Sequence, residues 1–229
     1  MNSVELNKFS LKIITDDGDV DKIMRNGSNY YALPDRTEYK LKLGNYNNVK
    51  ADAHVWIDGE KVGVWRLKSY SNITIERPAK ISRKFTLLKE NSRKARNAGI
   101  TRGKAKNGLI KVVFKPEKKY NRWQNDSFSF LSSDFRSDNE CYHNISAQQC
   151  MSNSNYNCNN FSSGATTLGD DSYQRFDKVE SIDEIDHNLV TTLYARLIID
   201  NNTYMYRKPY IGLRQALNTV KYPSRITDF

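Results

Sequence analysis

Four side chains able to bind a soft or borderline metal, Cys141, His143, Cys150 and Cys158, fall close together in the chain. They are chemically sufficient for a tetrahedral zinc ion. Structural zinc sites usually pre-form half of the coordination sphere with a Cys-x2-Cys knuckle, whereas the wider gaps here leave more loop entropy to overcome. The spacing therefore favours free thiols, and no metal or other cofactor is expected. Gly99-Ile100-Thr101-Arg102-Gly103-Lys104-Ala105 has the look of a phosphate-binding loop. It is one residue short between the glycines, and Ala105 stands where a metal-binding hydroxyl is needed. Asp17, Asp19 and Asp21 begin like a calcium-binding loop, but Lys22 replaces its turn glycine and Ser28 its bidentate carboxylate. A solvated acidic turn is the better reading.

Of the three histidines, His54, His143 and His187, none sits in a nucleophile–base pattern. No glycine-rich nucleotide fingerprint or nucleophile elbow is present. The expectation is a non-enzymatic protein with no small-molecule substrate. An enzyme built from carboxylates distant in sequence would need a concave pocket with convergent polar groups.

The strongest chemical signal is charge. Between residues 80 and 122 lie fifteen Lys or Arg against Glu90 and Glu117 alone, a local charge of +13 within a chain of net charge +10. Residues 1–79 are close to neutral and 123–229 are slightly acidic. Lys80, Arg83, Lys84, Arg93, Lys94, Arg96, Arg102, Lys104 and Lys106 surround a loop punctuated by Gly99, Gly103 and Gly108. Such a loop suits phosphate contacts that carry no base information, or contact with an acidic protein surface. Aromatic residues are scarce in the block until Tyr120 and Trp123, so it offers little of its own for stacking on bases.

The elements that must position these residues read mainly as strands. Residues 9–14 and 39–43 alternate apolar with polar, and Ala53 to Trp65 form a hairpin with Asp58-Gly59 at its turn. A regular hairpin puts Ala53, Val55 and Ile57 on one face with Val62 and Val64. Trp56 and Trp65 then share the opposite face, to be covered by the chain itself or by a partner. Further strands are expected at 72–76, 83–88, 109–114, 189–199 and 203–206. Short helices are expected from Asp19 through Met24, in one turn within 89–108, and around Leu213, Leu217 and Val220. Residues 117–175 are rich in Ser and Asn and without periodicity, an apparent loop-rich insertion.

A chain of 229 residues can bury roughly 70% of its unfolded surface as one domain. The expected fold is all-β over 1–229: an antiparallel β-sandwich, with a jelly roll as one form of it, and core strands in 9–115 and 189–206. No stretch has the length of a signal peptide core or membrane span, and three cysteines form no disulfide framework. An intracellular setting is expected.

The run from Tyr39 to Phe114 resembles an uncharacterised domain of large DNA viruses of the marseillevirus kind, also found in some protists. The likeness is carried by Asp52-Ala53-His54-Val55-Trp56-Ile57-Asp58-Gly59, Val62-Gly63-Val64-Trp65-Arg66, Ile75-Glu76-Arg77-Pro78, Arg83-Lys84-Phe85-Thr86, Ala98-Gly99-Ile100 and Asn107-Gly108-Leu109-Ile110. The resemblance implies a virion-associated component, present in the host cytoplasm during assembly and contacting other virion proteins or copies of itself. It implies no catalytic residues. The alternative is a sequence-tolerant nucleic-acid binder using the basic block.

Overall fold

A computed structural model describes residues 2–119 and 160–201. The chain opens with β1 (Ser3–Leu6) and β2 (Phe9–Thr15), then β3 (Gly18–Asp19), β4 (Lys22–Arg25), β5 (Ser28–Leu33) and β6 (Thr37–Glu38). β7 (Lys40–Asn45) precedes the hairpin of β8 (Ala51–Ile57) and β9 (Glu60–Leu67), followed by β10 (Ser71–Ile75) and β11 (Arg83–Lys89). A five-residue helix, α1 (Arg93–Asn97), leads to β12 (Leu109–Pro116), and β13 (Phe161–Asp171) and β14 (Thr191–Asp200) complete the described chain.

These strands form an all-β sandwich of two packed sheets. The smaller has the order β1-β2-β7-β10, with β3 on β2. The larger has the order β6-β11-β13-β14-β12-β8-β9, with β5 joined to β14 and β4 to β5. A jelly roll divides eight strands between its sheets; here the division is five and nine, and β5 with β14 is a parallel pair. Alternation puts Phe9, Leu11, Ile13, Leu41 and Leu43 of one sheet against Val55, Ile110, Val112, Phe114 and Leu197 of the other. Phe9 and Phe114 stack at 4.5 Å between ring centroids, a contact of about 0.5–1.5 kcal/mol beyond the area it buries.

The hairpin holds a correction. Ile57 pairs with Glu60 across Asp58-Gly59, and both turn residues have positive φ, as a type I′ turn requires. The register then shifts at a bulge, so that Val55 faces Gly63 and Ala53 faces Trp65. One extra residue reverses every side chain beyond it. Trp65 therefore joins Ala53 and Val55 in the core, Val64 is left 41% exposed, and Trp56 and Trp65 share no face.

Trp65 is covered by the chain itself. Residues 172–186 run along the open edges of both sheets, where Phe176 meets Trp65 edge-on at 5.7 Å and carries the Arg77 guanidinium on its ring. The Gln174 side chain imitates a strand there, donating to Thr74 O and accepting from Glu76 N. Gly63 lies beneath the Trp65 indole, where a Cβ would collide with the ring and approach Ala79. Gly63→Ala is expected to destabilise the fold by about 1–3 kcal/mol, measured by chemical denaturation, with no change in spectra that report strand content.

Two more expectations give way. The helix from Asp19 through Met24 is absent, because Asn26-Gly27, both at positive φ, turn β4 into β5 as a hairpin. The insertion at 117–175 contains β13, eleven residues long and paired with β11 and β14. Its sequence lacks bulky alternation because Gly164 must be small where Leu87 and Ile199 pack against it, and the next residue, the buried Ala165, is small as well. The four candidate zinc ligands, Tyr120, Trp123, the strand at 203–206 and the terminal helix at Leu213 to Val220 lie outside the described residues.

Candidate functional site

The basic block does not form one patch. β11 runs from Arg83 to Lys89, roughly 20 Å at 3.3 Å per residue, and separates its ends. At one end Lys84 is paired with Glu38 at 2.9 Å, Arg83 donates to Gly169 O, and Lys80 is exposed. At the other, residues 90–108 fold into a compact knob that carries Arg93, Lys94, Arg96, Arg102, Lys104 and Lys106. All six are exposed, and among the described residues none has a carboxylate partner.

The knob is built by its polar residues. Ser92 caps α1 by accepting from Ala95 N at 3.1 Å, and Gly99 ends it at positive φ. Ala95 anchors the turn in a buried site. The buried Glu90 carboxylate accepts from Gly103 N, so a side chain already occupies the amide that a phosphate loop would offer. Asn107 donates to Thr101 O at 2.9 Å, and the Arg196 guanidinium donates to Ala105 O and Asn107 O, each at 2.8 Å.

The base of the knob is fastened by Asp58, the first residue of the hairpin turn. Its carboxylate accepts from Gly108 N and from Thr166 N, both at 2.6 Å, joining hairpin, knob and β13. Gly108 has positive φ, and a Cβ there would strike the backbone of Leu197 and Gly164. Burial pushes the Asp58 carboxyl up to about 6 against the opposing pull of those two amides and Arg196. A raised carboxyl can mark a catalytic acid, but both oxygens of this one are committed to backbone.

Arg196 also begins a second surface. The outward positions of β14, β12, β8 and β9 line up as rows across the sheet. Arg196 pairs with Leu109; Tyr194, Lys111, Trp56 and Lys61 form the next row, and Thr192, Val113, His54 and Val64 the one after. Lys115, Asp52 and Arg66 end the series. Asp52 is the one carboxylate in these rows, held by Arg66 at 2.5 Å. Trp56 has Lys111 and Lys61 over its ring at 5.2 and 5.6 Å, and the His54 ring stacks beside it at 6.1 Å. Burial, together with Lys115 and Lys61, lowers the His54 pKa. Tyr194 is 50% exposed.

Beside Tyr194 a groove of about 550 Å³ runs between β1, the β4–β5 turn and β14. It is lined by Leu6, Tyr30, Leu109 and Arg196 among others, and Glu5 is the carboxylate in it. Glu5 accepts from Ser3 Oγ at 2.5 Å, with no acid–base partner placed against it among the described residues. Of the sequence-derived candidates, six basic residues are thus gathered on the knob, three stand apart, and Trp56 remains outward without Trp65. Lys111, Tyr194, Lys61 and Lys115 were not foreseen as a site; the alternation of each strand was legible, but not the cross-strand rows.

No protein family, no curated protein and no solved structure matches this chain. Among the described residues, no helix is long and apolar enough to cross a membrane, and no group of three or more His, Cys, Asp or Glu is placed to hold a metal.

Proposed function

We propose that the chain is a non-enzymatic module that binds nucleic acid through its phosphates, without regard to sequence, by means of the knob at 90–108. One observation carries the reading. Six exposed cations, without carboxylate partners among the described residues, are presented on a loop fixed by Ser92, Glu90, Asn107, Arg196 and Asp58. A solvated basic face needs no such scaffold, whereas preorganised cations lose less entropy when they engage phosphates. The proposal is tested by oligonucleotide affinity as a function of salt. If most of the knob cations neutralise phosphates, log affinity should fall with log salt by roughly 0.7 for each phosphate on a single strand and roughly 0.9 on a duplex. A flat salt response would exclude this mode.

A role as a large DNA virus particle component, with other virion proteins or copies of itself as partners, is a second proposal. It is supported by the resemblance over 39–114, whose motifs fall on the elements framing this surface: Asp52–Gly59 on β8 and its turn, Ala98–Ile100 and Asn107–Gly108 in the knob. A sequence-tolerant binder would serve such a particle by packaging or organising a genome. Proteomics of purified particles should contain the chain; its absence would remove this second proposal and leave the first standing.

A further inference from the structure

The geometry points to a single-stranded polynucleotide, DNA or RNA alike, as the occupant of the outer face of β14, β12, β8 and β9, its bases stacked on Trp56 and Tyr194 and its phosphates on Lys61, Lys111, Lys115 and the knob. This rests on the proposed nucleic-acid function and names the form of nucleic acid that the surface accepts.

The first ground is complementarity. From Arg196 to Arg66 the rows contain five Lys or Arg side chains and one carboxylate, and that carboxylate is already ion-paired with Arg66. The second is the interleaving of rings with cations. Trp56 lies between Lys111 and Lys61 on neighbouring strands, and Tyr194 lies beyond Lys111 in the same row. A sheet face with an exposed Tyr194 and a partly buried Trp56 suits splayed bases, since every base has a π-face, whereas a duplex hides those faces within its stack. The ammonium groups now over Trp56 would move to phosphates as a base takes their place on the ring. His54 adds a second ring beside Trp56, extending the stacking area.

The third ground is continuity with the knob. Arg196 holds the knob through Ala105 O and Asn107 O and heads the first row of the face, while the Lys106 side chain lies against the Gly59 end of the hairpin turn. A strand bound on the knob is therefore led onto the rings. The groove beside Tyr194 continues the track toward Tyr30. Stacking on a π-face and contact with phosphate do not depend on the sugar, so DNA and RNA are both accepted.

The test uses the full chain with labelled twenty-nucleotide oligothymidylate, oligouridylate and a mixed-sequence duplex of equal length. Single strands of either sugar should bind at least tenfold more tightly than the duplex. Trp56→Ala with Tyr194→Ala should weaken single-strand binding roughly 10- to 100-fold and leave duplex binding within about twofold. Trp56→Phe should retain most of the affinity, which separates stacking from loss of fold. Oligothymidylate should also quench the tryptophan emission of the parent chain more than that of Trp56→Phe. Equal single-strand and duplex affinity, with no effect of the ring substitutions but with knob dependence intact, would overturn this inference and leave the phosphate-binding reading in place. Absence of binding to all three would overturn both.

Discussion

Replacing Arg93, Lys94, Arg96, Arg102, Lys104 and Lys106 together with Ala should reduce oligonucleotide affinity on the order of a thousandfold or more at 0.1 M salt while the chain remains folded. At that concentration each phosphate neutralised on a single strand is worth roughly a fivefold change in affinity, and six together exceed roughly a thousandfold even if one makes no contact. The fold should tolerate the change because all six side chains are exposed and none has a carboxylate partner among the described residues. What shapes the knob is retained in the variant: Ser92, Ala95, Glu90, Asn107, Arg196 and the three glycines. Fluorescence anisotropy gives the affinity and a denaturant titration the stability. Substituting Lys80, Arg83 and Lys84 instead should have a much smaller effect on binding, because β11 holds them at the far end of the strand and Lys84 already has Glu38.

The second large effect is expected at Asp58. Asp58→Ala removes the acceptor of Gly108 N and Thr166 N at once, and each orphaned amide loses a charge-assisted bond of about 1.5–3 kcal/mol. A loss of about 2–4 kcal/mol in unfolding free energy is expected at pH 7.5, which for a domain of this size is a large share of its stability. The effect depends on pH. Because the folded carboxyl titrates near 6 and the ordinary value is 3.8, the folded chain holds a proton between about pH 4 and 6 that the unfolded chain has released. The Asp58 contribution to stability therefore rises as pH falls through 6 and levels off near 4. The gap corresponds to at most about 3 kcal/mol. Denaturation of parent and variant from pH 7.5 to 5 should show their difference widening toward the acid end; a constant difference would contradict the role given to Asp58.

Local signals were legible in the sequence, and relations between distant segments were not. Asp58-Gly59 announces its hairpin because both residues tolerate positive φ, and Asn26-Gly27 carries the same signal; read as a helix stop, it hides β4 and β5. The one local mark of the bulge at Val62-Gly63 is the glycine within the strand, since Val62, Val64 and the tryptophans fit either register. The decision between them lies with Phe176, more than a hundred residues downstream, which covers Trp65. β13 is silent because Gly164, against Leu87 and Ile199, leaves no room for a side chain.

The candidate site divides the same way. Charge is a property of composition, so the block at 80–122 could be read directly. Its division by β11, and the exclusion of Lys84 through Glu38, required the strand to be seen in place. The rows that join Tyr194, Lys111, Trp56 and Lys61 draw on three segments spread from residue 56 to residue 194. Only the ladder of the sheet brings them together, and it places the rings whose absence from the basic block argued against stacking.

The most direct test of the surface is photo-cross-linking of a thymidine-substituted single strand carrying 4-thiothymidine, followed by peptide mapping of the full chain. Adducts are predicted on peptides spanning Trp56, Lys111 and Tyr194 and on the knob between Arg93 and Lys106. Adducts confined to other parts of the chain, or none under conditions where the oligonucleotide is in excess, would contradict the assignment of this face as the nucleic-acid-binding surface.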